Sequence, residues 1–132
     1  MKRGDILVME SGRKLDALVA EEVMGFTVYQ AVEANNYYRL LDSDGHAVDP
    51  FGGERETEEE AWNDCYYYST DMSAAWEVEE IFKGEVGFRA SYVARLKEVL
   101  GPNAWMFDFV HATPEQRCKA ALLAVLEEGE TK

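Results

Sequence analysis

Phe88-Arg89-Ala90-Ser91-Tyr92-Val93-Ala94-Arg95-Leu96 decides which fold this chain adopts. Phe88, Ala90, Tyr92, Ala94 and Leu96 alternate with Arg89, Ser91, Arg95 and Lys97, a period of two broken only by Val93. Such alternation predicts a half-buried strand. The same residues also admit a helix from Ser91 to Leu100, with Tyr92, Val93, Leu96 and Leu100 on one face. The length of the alternation and the weak local caps favour the strand. Gly101-Pro102-Asn103 then reads as a turn. Trp105 to Val110 reads as the returning strand, with Trp105, Phe107 and Phe109 on one side and Met106, Asp108 and Val110 on the other.

On the amino-terminal side, Ala74, Ala75, Val78, Ile81 and Phe82 recur at helical spacing. Ser69 and Thr70 are the expected N-caps of this central helix, Asp71 favours its first turn, and Gly84 is its expected stop. Trp76 falls to one side of the stripe, at the edge of a core or on an exposed aromatic surface. On the carboxy-terminal side, Thr113-Pro114-Glu115-Gln116 is the cleanest local signal. Thr113 caps, Pro114 takes the first helical position and Gln116 completes a capping box. The helix that follows buries Cys118, Ala121, Leu122, Val125 and Leu126 and should end near Gly129.

Earlier in the chain, Asp5 to Met9 allows one helical turn. A stronger helix is expected from Gly12 to Met24, capped by Ser11 and stopped by Gly25. Leu15, Leu18, Val19 and Val23 lie inside, with Lys14, Asp16, Glu21 and Glu22 mostly away from that face. Phe26 to Glu33 and Tyr37 to Leu41 have strand composition, and Asn35-Asn36 between them suits a hairpin turn. Residues 43–56, with Pro50, Gly52 and Gly53, form an irregular loop. Thr57-Glu58-Glu59-Glu60 has capping-box spacing and starts a short helix running toward Cys65. Strands with apolar residues on both sides need cover on both faces. The expectation is one α+β domain over residues 1–132, an α-β-α layered sandwich whose four-stranded, largely antiparallel sheet is covered by helices.

Composition narrows the function classes. The chain has 132 residues, 13 Lys plus Arg against 26 Asp plus Glu, and a formal charge of −13. Such a surface repels nucleic acids and anionic membranes, so neither is an expected partner. The acids are spread over every segment, as on a solvated shell, rather than gathered into a tract that mimics nucleic acid. Cys65 and Cys118 lie far apart in probable helices, which fits free buried thiols in a reducing compartment. No apolar run has signal or transmembrane character, so a cytoplasmic location is expected.

Three blocks carry a family resemblance: Met9 to Gly25 (MESGRKLDALVAEEVMG), Tyr68 to Val78 (YSTDMSAAWEV) and Arg117 to Leu126 (RCKAALLAVL). In this order they are similar to the small phage and prophage proteins of the phage ABA sandwich domain family. The resemblance implies a phage or prophage origin, hence the host cytoplasm, and an α-β-α architecture. It implies no catalytic residues.

The residues themselves point away from catalysis. His46 and Asp49 share a loop but lack the ligand set of a zinc or calcium site. His111 precedes a helix start, where a backbone contact suffices for it. Ser69 lacks a strand–elbow–helix setting, and Cys65 lacks a nearby histidine in sequence, leaving only spatial pairing with His46 or His111. Neither Gly84-Glu85-Val86-Gly87 nor Gly52-Gly53 is a phosphate loop. No catalytic residue, metal or cofactor is therefore expected.

Trp62, Tyr66, Tyr67, Trp76 and Trp105 supply rigid aromatic surface, with Arg89, Arg95 and His111 as cationic or polar partners. The alternative is that the aromatics finish the core and the arginines solvate a sheet edge. The expected function is that of a non-enzymatic accessory protein, binding a host protein or associating with itself through the aromatic surface near Trp62 to Trp76. A small-molecule or nucleotide sponge directed against host defence signalling is the second reading. An enzyme acting on such a ligand is the third. Helical cover on the sheet could also come from a neighbouring subunit, as in a symmetric homodimer.

Overall fold

The computed structural model describes residues 2–32 and 36–130. Its organising element is the terminal helix α7 (Pro114–Glu130). Cys118, Ala120, Ala121, Leu122, Leu123 and Ala124 are all buried along it. Small residues here let neighbouring helices approach closely, and α1 (Arg3–Leu7), α2 (Arg13–Glu22), α4 (Met72–Glu80) and α5 (Val86–Leu100) all pack against it. Its start is the expected capping box. Thr113 Oγ1 accepts from the Gln116 N–H at 3.1 Å, and Gln116 Oε1 accepts from the Thr113 N–H at 2.8 Å.

The Phe88–Leu96 stretch is helical, lying wholly within α5, which overturns the strand expectation. Phe88, Tyr92 and Leu96 are spaced by four as well as by two, so one sequence serves both periods. Ala90 and Ala94, which a strand would have turned inward, are exposed on α5 and favour the helix by propensity. Phe82 is buried against the helix, its ring 4.3 Å from Phe88 and 4.8 Å from Tyr92 between centroids. Gly101, at φ 109°, ends α5 in a conformation that side chains rarely adopt.

Trp105 to Val110 is not the returning strand either. Met106–Val110 forms the short helix α6, because Asp108 folds back to accept from the Trp105 N–H at 2.9 Å. Its carboxy-terminal carbonyls are held by Arg117, described below. The four-stranded sheet is therefore corrected to two strands among the described residues. β1 (Thr27–Ala31) and β2 (Tyr37–Leu41) pair antiparallel with Tyr29 opposite Arg39. Phe26 is buried just ahead of β1, while Glu33 and Asn35 of the expected strand end and turn lie outside the described residues.

Residues 43–56 have no regular element, yet they fold back along the free edge of β2. Val48 N–H donates to Leu40 O at 3.0 Å, and Tyr38 and Arg55 exchange both backbone hydrogen bonds at 2.8 Å. Arg55 also grips Asp64 with two bonds of 2.9 Å. The hairpin meets the helices through α3 (Glu58–Trp62), capped by Thr57 Oγ1, which accepts from the Glu60 N–H at 3.1 Å. The result is a mixed, mostly helical fold in which the hairpin flanks a helical core.

Three expectations about helix starts and faces also change. Gly12 rather than Ser11 is the N-cap of α2. Asp71, not Ser69 or Thr70, caps α4, accepting from the Ser73 N–H at 3.0 Å. Ile81, placed on the apolar stripe by spacing, is exposed, while Val78 and Phe82 are buried.

Candidate functional site

A concavity lies between the outer sides of α2 and α3. Arg13, Lys14, Ala17, Leu18 and Glu21 line one wall, and Glu58, Glu59, Trp62 and Asn63 the other, around about 780 Å³. Helical spacing builds the first wall, since Lys14, Leu18 and Glu21 recur at i, i+4 and i+7. Trp62, at the end of α3, is half-buried and packs against the core. Leu18, Ala17 and Trp62 thus give an apolar floor, and Glu21, Glu58 and Glu59 an acidic rim. Partial desolvation holds the Glu21 carboxyl above its ordinary range, with the charges of Glu22 and Glu58 adding to the effect.

Arg13 fixes one end of this groove. Its guanidinium donates to Asp16 at 2.8 Å and to the carbonyls of Asn63 and Cys65, each at 2.5 Å. It also lies 4.1 Å from the centre of the Tyr67 ring. Asp16, fully buried, accepts from the Ser69 N–H and hydroxyl, both at 2.7 Å. Ser69 Oγ in turn accepts from the Gly12 N–H at 2.9 Å. The start of α2 is thereby bolted to residues 63–69, which is why Ser69 is not free to cap α4. The expectation that Asp16 faces away from the buried side is wrong for the same reason.

A second polar lock joins α4, α5, α6 and α7. Glu79 Oε1 accepts from the Arg117 guanidinium and, at 2.6 Å, from the Tyr92 hydroxyl. Arg117 also donates to the carbonyls of Ala112 at 2.9 Å and Val110 at 3.0 Å, closing the end of α6. Burial and the Glu79 partner push the Tyr92 phenol far above its ordinary range.

The sequence-predicted residues divide among several neighbourhoods. Trp62 lines the groove together with Arg13, and Tyr67 stacks on the Arg13 guanidinium outside the lining. Tyr66 is half-exposed, packed edge-on to Phe26 and Tyr68 with centroids 6.3 and 5.9 Å away. Trp76 is exposed on α4 with its ring 5.0 Å from the Arg117 guanidinium, away from the groove lining. The shared strand face expected for Arg89 and Arg95 does not exist, because six residues along a helix point to different sides. Arg89 is exposed, and Arg95 pairs with Glu98 at 3.1 Å. His111 stacks on Phe107, centroids 4.2 Å apart, beside a shallower depression of about 540 Å³ at the α5–α6 turn.

Arg13, Asp16, Glu79 and Arg117 were missed as site-shaping residues. The available signal was a charge inside an apolar stripe: Asp16 lies angularly between Val19 and Ala20, and Arg117 falls among Ala120, Ala121 and Ala124. Ser69 carried no comparable signal, since its partner is 53 residues away.

Both cysteines are free and buried. Burial raises the Cys65 thiol to about 11 and pushes Cys118 higher still, so both are protonated at neutral pH. Cys65 has Arg13 as its neighbour, His111 stacks on Phe107, and His46 belongs to the turn closed by Asp42. Asp42, Asp44 and His46 do bring three donor atoms within 4.8 Å of one another on the exposed surface. One Asp42 oxygen already accepts from the backbone N–H groups of Asp44 and His46 at 2.9 and 3.0 Å. Three exposed donors are one short of a structural zinc set. Among the described residues, no helix is long and apolar enough to cross a membrane.

No curated protein and no solved structure matches this chain. The sequence model of the phage ABA sandwich domain, however, matches residues 17–122, from within α2 to within α7. That span takes in the hairpin, α3 to α6 and the whole of the second polar lock, but of the first only residues 63–69. The chain belongs to the phage ABA sandwich domain family.

Proposed function

We propose that this phage protein is a non-enzymatic accessory factor that holds a basic, amphipathic segment of a host protein in the groove between α2 and α3. The single observation that carries this reading is the pairing of an apolar floor (Leu18, Trp62) with three rim carboxylates (Glu21, Glu58, Glu59). Apolar anchors seated in a groove give affinity, and complementary rim charges give orientation and on-rate. The same carboxylates disfavour a nucleotide, whose phosphates would meet like charge. Arg13 does not offset them, because its guanidinium is committed to Asp16 and to backbone carbonyls, and Lys14 alone leaves the lining net acidic. Two buried free thiols support a reducing compartment, the host cytoplasm, as the place of action.

A synthetic helical peptide with a leucine stripe and a lysine face is the probe, its binding followed through the chain's NMR amide shifts. Saturable shifts confined to α2 and α3 are expected. Glu58→Lys with Glu59→Lys should weaken binding roughly ten-fold or more, and rising salt should weaken it as well. Equal binding of a glutamate-faced peptide, or no loss in the double variant, would overturn the reading. A Trp62→Ala and Tyr67→Ala pair separates the aromatic contribution from the charged one.

A further inference from the structure

The helix α6 has an almost wholly exposed apolar side. Trp105 at its cap is 76 % exposed, Met106 79 %, Phe107 72 % and Val110 71 %. Together these four residues expose on the order of 600 Å² to water, a large apolar exposure for so short a segment. Nothing about the segment is loosely held. Asp108 closes its first turn, Arg117 ties down its last carbonyls, and Phe109 packs inward against the core.

We propose that α6 is the surface through which two copies of this chain associate as a symmetric dimer. Area is the first argument. A standard interface needs about 800 Å² from each partner, and the four side chains supply most of it before any rim is counted. Charge is the second. Over the whole chain acids outnumber bases two to one, 26 to 13, so most pairs of faces repel when two copies meet. Between Val86 and Val110 the balance reverses, with Arg89, Arg95 and Lys97 against Glu98 and Asp108. Two copies that meet α6 to α6 therefore incur less self-repulsion than the overall acidic excess would impose, though not none. A two-fold axis lets one copy's Trp105, Met106 and Phe107 cover the other's, an isologous contact that closes and leaves no apolar remainder to grow filaments. Preorganisation is the third argument, since a helix already fixed at both ends loses little freedom on docking.

Sedimentation velocity on the full chain, from low-micromolar to several-hundred-micromolar concentration, tests this. The expected result is a rise from 15.0 kDa toward twice that mass, with rising salt tightening association by screening the net charge. The Met106→Lys and Phe107→Lys double variant should weaken the dimer roughly ten-fold or more with unchanged circular dichroism and melting temperature. Val110→Lys is the second variant should the double one fail to fold. The Glu58→Lys and Glu59→Lys protein should dimerise as the parent does, so loss of the groove reading and loss of this one are separable. A parent chain that stays monomeric throughout, leaving α6 to some other partner, overturns the proposal. So does a dimer indifferent to both α6 variants.

Discussion

Asp16 and Tyr68 are both fully buried polar residues in one core, and they have opposite consequences. Asp16 has its acceptors filled by Arg13 and Ser69, whereas the Tyr68 hydroxyl has no hydrogen-bond partner among the described residues. Removing one member of a satisfied buried pair strands the other, at about 3–5 kcal/mol. Removing an unpartnered hydroxyl relieves a desolvation cost of about 1–3 kcal/mol while keeping the ring in place. Asp16→Ala is therefore expected to lower stability by about 3 kcal/mol or more in urea unfolding. Tyr68→Phe is expected to leave stability unchanged or raise it by about 1 kcal/mol. A Tyr68→Phe protein less stable than the parent would mean that the hydroxyl has an acceptor. The residue scale also shows what was legible beforehand. Trp62 and Tyr67 stand out in the sequence as rigid aromatics; Trp62 lines the groove, and Tyr67 lies under the Arg13 guanidinium. Arg13 gives no such signal, because its carbonyl partners lie about fifty residues downstream in sequence.

At the scale of elements, helices marked by caps and stops were readable. Thr113 and Gln116 close α7 as their spacing dictates. Gly25, at φ 76°, ends α2 with the Phe26 N–H returning to the Ala20 carbonyl at 2.9 Å. Segments without such marks were misread. Phe88, Tyr92 and Leu96 satisfy both a period of two and a spacing of four, and only the packing of Phe82 between the Phe88 and Tyr92 rings settles which period governs. For Trp105 to Val110, alternating apolar residues suggested a strand that would have needed a neighbour to pair with. The chain supplies instead an acid at Asp108 and a distant guanidinium at Arg117, which satisfy a helical turn. An exposed alanine in α5 provides the decisive check. Ala94→Thr is expected to destabilise by about 0.5 kcal/mol, since threonine is the poorer helix former. In a strand the same change would be neutral or stabilising. Matched urea titrations of the two proteins give the sign.

At the scale of the whole molecule, the fold must hold 26 acids and 13 bases on one shell while its polar locks stay shut. The two classes of charge answer differently to salt. Arg13 with Asp16 and Arg117 with Glu79 are largely withdrawn from water, so mobile ions reach them poorly. The remaining surface carboxylates repel one another through solvent, where a Debye length of about 8 Å at physiological ionic strength screens them well. Salt should therefore remove repulsion faster than it removes attraction. The melting temperature is expected to climb by several degrees from low salt to about 0.5 M sodium chloride, saturating once the Debye length falls below the spacing of neighbouring carboxylates. Because dimerisation through α6 would add a concentration-dependent gain of its own, the titration belongs on the Met106→Lys and Phe107→Lys protein. If that monomeric chain melts lower as salt rises, exposed ion pairs such as Arg39 with Glu54 and Lys83 with Glu80 contribute more than the acidic excess costs. The balance of charges over the shell would then have to be drawn the other way.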